Sequence, residues 1–555
     1  MLFEEVIEHF PHHGRLSLIT HRVVFSDEPL LAGVDMDWMK KIVKPDTVLR
    51  KIKPGMSIFL GTGVSEPRTL VKHLLAARSY ELDDLELVQL ANYSHTSSPE
   101  AIHERKFRLR TFFSGCVSRE ITSGRVDLIP VRFARLPHLF QEGLINVDAA
   151  FIQITPPDKS GYCSFGVSVD VARLAMEQAS LIIGEINHLV PVTLGDTFAH
   201  VSEFDFLVES TEKPIYFKRW PVDETFDKLA SRIVSLIEDR SCISFSIGPL
   251  FEALARYLKN RKHLGIHSPI FTDAVMDLVE SGAVSNRYKA TFPGKSLASY
   301  AFGGPELFAW LDRNPMVEFQ SIEHVFNPMN IGANSKFVVI IPARKVDLSG
   351  RIVLHSGVGN VVTGPIELLD FFKGAEISAG GRSIFGLPSR NRQGKPNIKL
   401  SVAKYQNQFG SEESLDIVVT EFGAANLKGL TIRERAQSLI DIAHPEDRQE
   451  LVEQAKRKKL LYADQIFIPE SSFLYPDYIS ERHTFKGNLE VRFRPIRPSD
   501  EEQMRRLFYR FSDEDVYARY FASVQSMPHG KIQEYVNVNW NETMSVVGLI
   551  GPLGQ

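Results

Sequence analysis

Arg344 and Lys345 stand side by side just after the apolar run KFVVIIP. Paired cations there can hold phosphate or carboxylate groups, or can be surface charges at a strand end. Arg390, Arg392 and Lys395, in SRNRQGKPNIK, leave the same choice between phosphate contacts and a solvated loop. Two acids stand where helices could begin, Glu66 in GTGVSEPRTL and Glu367 in GPIELLDFF. Either could act as a catalytic carboxylate. The ordinary role of such an acid is to cap or charge-complement a helix start, and that role is favoured for both. The glycines of GVSEP and GVGN could form nests of N–H groups for phosphate. Cys163 has no base beside it in sequence and reads as structural, as do His324 and His355.

The elements that must position these residues alternate in type. SIFLG is a strand-sized apolar run, followed by SEPRTLVKHLLAARS with helical periodicity. AAFIQITPP is a second strand, stopped by two prolines. SCISFSIGP leads into LFEALARYLKNRK, and DIVVTEFG is a further strand. Strand-then-helix repetition predicts an α/β fold with mainly parallel sheets. The rhythm of the first half returns after Pro214, predicting two related α/β domains, residues 1–213 and 214–474, with a ligand cleft between them or at the strands' carboxyl ends. Residues 475–488 read as a polar linker. Residues 489–555 start again with a strand, a Pro-Ser-Asp helix start, and Met504, Leu507, Phe508 and Phe511 at helical spacing.

Composition bounds the function. The chain has 555 residues, 43% hydrophobic and 24% charged, with a net charge of -4 that exerts no general pull on nucleic acid or anionic membrane. Three scattered cysteines predict neither a disulfide framework nor a zinc site, and fit a reducing, cytoplasmic setting. The early acids of MLFEEVIEHF do not fit a signal peptide, and no run is long and apolar enough to span a membrane.

Several strings carry a more specific likeness: PPDKSGYCSFGVSVD, LGDTFAHVSEFDFLVE, LGIHSPIFTDAVMDLVESGAVSNRYK, NPMVEF and VVTEFGAANLKGLTIRERAQSLIDIAHPEDR. In this order they resemble the acetyl-CoA hydrolase/transferase family, which includes acetate and 4-hydroxybutyrate CoA-transferases. The resemblance covers roughly the first 470 residues. It implies two CoA-transferase-type α/β domains with the active site at their interface, coenzyme A or acetyl-CoA as substrate, a short carboxylic acid or water as acceptor, and no metal. Self-association is expected for a large transferase. The phrase RFRPIRPSDEEQMRRLF resembles the opening of a GNAT acetyltransferase, which implies a partial α+β segment of that kind at 489–555.

The same resemblance locates the site. Family transferases use a covalent glutamate, and IPARKVDLSGR puts Lys345 in its place. An acylated amine is a stable amide, so Lys345 would stop turnover. GANSK keeps Asn334 and has Lys336; GPIEL keeps Gly364 and brings Glu367 as a substitute carboxylate; SIGPLF occupies a third loop. The resemblance therefore makes Asn334, Lys336, Gly364, Arg390, Arg392 and Lys395 the CoA-binding candidates. Two functions follow: an acyl-CoA hydrolase or CoA-transferase working through a non-standard residue, or a catalytically silent acyl-CoA sensor regulating an attached acetyltransferase.

Overall fold

The computed structural model describes residues 36–77, 82–91, 98–105, 107–113, 117–354, 366–405, 408–409, 415–468 and 481–551. In chain order the first strands are β1 (Ser57–Leu60), β2 (Glu86–Gln89), β3 (Arg108–Thr111), β4 (Asp127–Leu128), β5 (Ala149–Ile154), β6 (Tyr162–Ser164), β7 (Leu181–Ile186), β8 (Phe198–His200) and β9 (Phe206–Glu209). Seven of them form one sheet, in the order β4-β3-β2-β1-β5-β7-β9, with every pairing parallel. All six residues of β5 are buried, as a central parallel strand covered on both faces requires. β6 and β8 form a separate antiparallel pair.

The chain then enters β10 (Cys242–Ser244), β11 (Gly265–Ile266), β12 (Ile270–Thr272), β13 (Ser296–Ala298), β14 (Tyr300–Phe302), β15 (Val317–Phe319), β16 (Phe337–Pro342), β17 (Lys345–Asp347), β18 (Ile352–Val353), β19 (Arg382–Gly386), β20 (Ile398–Lys399), β21 (Gln408–Phe409), β22 (Ile417–Thr420) and β23 (Gly423–Asn426). A second sheet runs β11-β10-β16-β19-β22-β23, parallel except at its last pair. β17, β18, β20 and β21 make a small four-stranded sheet beyond the carboxyl ends of β16 and β19. The fold is α/β, and the expected parallel pairing holds in both large sheets.

The halves are joined through their backbones. Ala301 donates its N–H to the Val167 carbonyl at 2.8 Å, Val169 to Ser299 at 3.1 Å, and Phe319 to Leu194 at 2.8 Å. Gly195 is required at this crossing: its φ is 117°, and a Cβ there would lie 2.1 Å from the Phe319 carbonyl oxygen. An ion pair between a buried carboxylate and an exposed arginine adds to the join. Asp370, on the helix Ile366–Ile377, takes Arg132 Nη1 at 3.1 Å and the Ala134 N–H at 3.0 Å. Burial outweighs these partners and raises its carboxyl to about 6. Phe326 wedges between Phe133 and Phe371, at ring-centroid distances of 5.2 and 5.3 Å.

Past residue 480 the chain forms β24 (Glu481–Phe485), β25 (Leu489–Pro495) and β26 (Val546–Ile550), an antiparallel sheet with β25 in the centre. Residues 481–485 were expected within the linker. They form a strand because β25 supplies its whole ladder of partners; all five side chains are exposed, so no apolar alternation marks it. This segment has its own small core of Ile496, Phe508, Val516, Met527, Ile532, Val536 and Val538. It docks on the second half where Ser499 donates its N–H to Asp441, and Gln465 to Gln533. Among the described residues no helix is long and apolar enough to cross a membrane.

Candidate functional site

At the carboxyl end of β1 the chain turns through Gly61–Thr62–Gly63 into a single 3-10 turn and then the helix Arg68–Ala76. The turn is tight enough that a Cβ on Gly61 would lie 2.5 Å from the Ser65 carbonyl oxygen. It carries Glu66 inward: the side chain is 1% exposed, and Gln89 Nε2 reaches its Oε2 at 3.4 Å. The cap comes from Glu185, at the end of β7, whose carboxylate accepts the N–H groups of Thr69 at 3.1 Å and Leu70 at 2.9 Å. Ser210 Oγ also donates to Glu185, at 2.7 Å. Glu66 is a buried carboxylate on the turn that leads into the same helix.

Asp170 lies beside Thr62 of the same turn. Its side chain accepts from Ser168 Oγ at 3.3 Å and from the Val171 N–H, and its backbone is held in the left-handed region at φ 37°. Burial raises the carboxyl to about 6 in spite of these donors, so it exchanges protons near neutral pH. The segment that presents Asp170 is the one hydrogen-bonded across the join to Ser299 and Ala301. Asp170 therefore stands where the halves meet, beside the turn that carries the buried Glu66. The sequence reading passed over Asp170 and Glu185. Each is a lone acid inside an apolar stretch, GVSVDVA and LIIGEIN, and that is the signal that could have found them.

Lys345 projects from β17 into a different environment. Its amine is half-buried, donates to Asn397 Oδ1 at 3.4 Å, and lies 5.4 Å from the centre of the Tyr405 ring. Burial lowers its pKa, and so do Lys399, Arg344, Lys404 and Lys395 in that order. Five cations thus share one strip beyond the carboxyl ends of β16 and β19, the edge of an α/β sheet at which ligands bind. Asp347, two residues on, fixes the turn after Lys345 by accepting the N–H groups of Ser349 and Arg351 at 3.0 and 3.1 Å.

The remaining expected residues divide. Asn334 and Lys336 precede β16, at the opposite end of the sheet from the strip. The Asn334 amide is fully buried and taken up by the Ala290 N–H and the Asn330 carbonyl, and Lys336 pairs with Glu238 at 2.6 Å. Arg390 clasps Asp447 through Nε and Nη2 at 3.0 and 2.6 Å, and Glu446 through Nη1 at 2.6 Å. Arg392 and Lys395 are exposed on the following turn, held by Asn391. His324 is exposed on a short helix. Cys163 is buried, and its thiol is pushed up to about 12, so it supplies no thiolate at neutral pH. Gly364 and His355 lie outside the described residues, as does the side chain of Glu367, whose backbone opens the helix Ile366–Ile377.

Similarity to known proteins runs along the α/β body. Residues 32–218 match the acetyl-CoA hydrolase/transferase N-terminal domain, and residues 303–455 the C-terminal domain of the same name. The chain belongs to the acetyl-CoA hydrolase/transferase family. It is 36% identical over 433 residues to the 4-hydroxybutyrate coenzyme A transferase of Clostridium kluyveri, covering 76% of this chain and 100% of that one. It is 33% identical over 407 residues to the succinyl-CoA:acetate/propanoyl-CoA:succinate CoA transferase of Fasciola hepatica, covering 72% of this chain and 84% of that one. Among solved structures, RipA of Yersinia pestis superposes with a TM-score of 0.70 at 27% identity, covering 76% of this chain and 98% of that one. The 4-hydroxybutyrate CoA-transferase of Porphyromonas gingivalis superposes with a TM-score of 0.63 at 28% identity, covering 76% and 98%.

Proposed function

We propose that the chain binds a short acyl-CoA and moves its CoA between the thioester and a carboxylic acid or water. The observation that carries this reading is the likeness to a 4-hydroxybutyrate CoA-transferase across that protein's full length. In this reading the cationic strip of Arg344, Lys345, Lys395, Lys399 and Lys404 holds the phosphates of CoA, with Arg392 at its margin. Lys345 stands for the family glutamate and acts as a charge, not as a nucleophile, because its acylated form would be an amide. Asp170, at the join, and Glu66, on the turn beside it, are the candidate carboxyl groups, and Glu367, at the start of the helix Ile366–Ile377, is a third. Asn334, Lys336 and Arg390 serve the fold, since protein partners occupy their polar groups. The same reading places the protein in the cytoplasm as a homo-oligomer.

The second reading is an acyl-CoA sensor without turnover, attached to a GNAT-like segment. The separate core of the C-terminal segment and the amine at position 345 support it. One experiment separates the two: acetyl-CoA consumption with and without acetate or butyrate, in wild type, Glu66→Gln and Lys345→Glu. Exchange by wild type that is lost in Glu66→Gln supports the transferase with its carboxylate at 66. Acetyl-CoA binding without consumption by wild type selects the sensor. Absence of both binding and consumption ends both readings.

A further inference from the structure

A cavity of about 620 Å³ opens between the helix Glu224–Val234 and the C-terminal antiparallel sheet, and the reading above makes no use of it. Its walls carry four cations, Lys228, Arg232, Arg482 and Arg492, against two carboxylates, Glu421 and Glu481. Both carboxylates are engaged. Glu421 accepts the Ser389 N–H at 2.9 Å and its Oγ at 2.6 Å, and Glu481 lies 2.9 Å from His483 Nε2. Lys228 pairs with Glu224 at 2.7 Å, and Arg482 donates to the Ser235 carbonyl at 2.9 Å.

Arg492 is different. It sits half-buried on β25, directly opposite Arg482 in the β24–β25 register. Like charges facing each other across an antiparallel pair repel. Among the described residues no carboxylate pairs with Arg492, and its charged neighbours are Arg482, Arg497, Arg494 and Arg232. Of these, Arg494 is bound to Asp500 at 2.6 Å, Arg482 donates to a carbonyl, and Arg232 and Arg497 have contacts of their own. A half-buried guanidinium beside other guanidinium groups is stabilised by an anion that completes the group. The Ser231 and Ser235 side chains and the rings of Tyr257 and Phe422 supply the rest of the lining.

We propose that this cavity binds a small organic phosphate, its phosphate held by Arg492 and Arg482 and its organic part set against Tyr257 or Phe422. The volume exceeds what inorganic phosphate alone would fill and lies within the usual range of small-ligand sites, about 300 to 1,000 Å³. The site is distinct from the strip around Lys345, and it straddles the family body and the C-terminal sheet, so its ligand fastens one to the other.

The test is calorimetric titration of ADP and of inorganic pyrophosphate into the purified full chain, its Arg492→Met and Arg492→Lys variants, and Lys345→Met. Wild type is expected to bind both probes, Arg492→Met to bind them at least about tenfold more weakly, and Lys345→Met to keep the Arg492-dependent component. Arg492→Lys keeps the charge without the two-pronged donor and is expected to fall between them. The proposal is overturned if wild type binds neither probe at millimolar concentration, or if both Arg492 variants bind as wild type does. Should Arg492→Met fail to fold, Arg492→Lys decides alone, and wild-type affinity in it ends the proposal.

Discussion

The first half gathers carboxylates where the second half gathers amines. Glu66, Asp170 and Glu185 are buried, each among hydrogen-bond donors of the protein. Lys345, Lys399, Lys404 and Lys395 lie half-buried or exposed on and around a small added sheet, and the charges around Lys345 are of its own sign. A charge satisfied by the fold is committed to stability, whereas a charge left among its own sign is available to a ligand. The contrast favours a folding role for much of the first group, and in the proposed function the second group recognises anions.

The strongest way to break this contrast is to remove a carboxylate that the fold needs. Glu185→Leu strands the buried N–H groups of Thr69 and Leu70 and is expected to cost about 3 to 5 kcal/mol. A urea-unfolding midpoint equal to wild type would show that the helix start needs no such partner. Asp170 gives a pH signature. Its carboxyl rises from 3.8 to about 6 on folding, so the folded state holds the proton more tightly than the unfolded chain does. Wild-type stability therefore falls as pH rises from about 4 to about 6, by up to about 3 kcal/mol from this group. Asp170→Asn is expected to remove that fall, and parallel curves for the two proteins would contradict the assignment.

Asp370→Ala, which frees Arg132 and the Ala134 N–H at the join, is expected to lower stability by about 2 kcal/mol. It should leave the salt dependence of acyl-CoA binding as it was. The strip responds the other way. Lys399→Met with Lys404→Met is expected to weaken acyl-CoA binding by about fivefold and flatten its salt dependence, while the melting temperature holds. Tyr405→Leu, which removes the ring beneath Lys345 and Lys404, should weaken binding by about twofold. A large loss of stability in either strip variant would erase the distinction between the two regions.

The sequence made the local elements plain and hid the distant partners. β1, β5 and β10 lie within the apolar runs SIFLG, AAFIQITPP and SCISFSIGP, and the helix Pro249–Leu258 follows β10 as its periodicity demands. The family likeness was legible because its strings are long and ordered. The site was less so. Whether Arg390 is free depends on Glu446 and Asp447, more than fifty residues later, and Glu185 caps a helix that begins more than a hundred residues before it. The three-residue strands β12 to β15 are too short for a period to show, and β24 has no apolar face. Such contacts arise from folding over long separations, so spacing along the chain does not reveal them.

The backbone bonds that tie Val167, Val169 and Leu194 to Ala301, Ser299 and Phe319 bear on how a ligand gets in. Walls that share a peptide ladder cannot swing apart like jaws without tearing it. A ligand that bound along this join would therefore meet a floor already in its final shape, and would have to pass loops at its edge. The same ladder means that neither half owns a complete surface: a chain severed after residue 213 would expose unpaired peptide groups on both fragments, and each would need the other in order to fold.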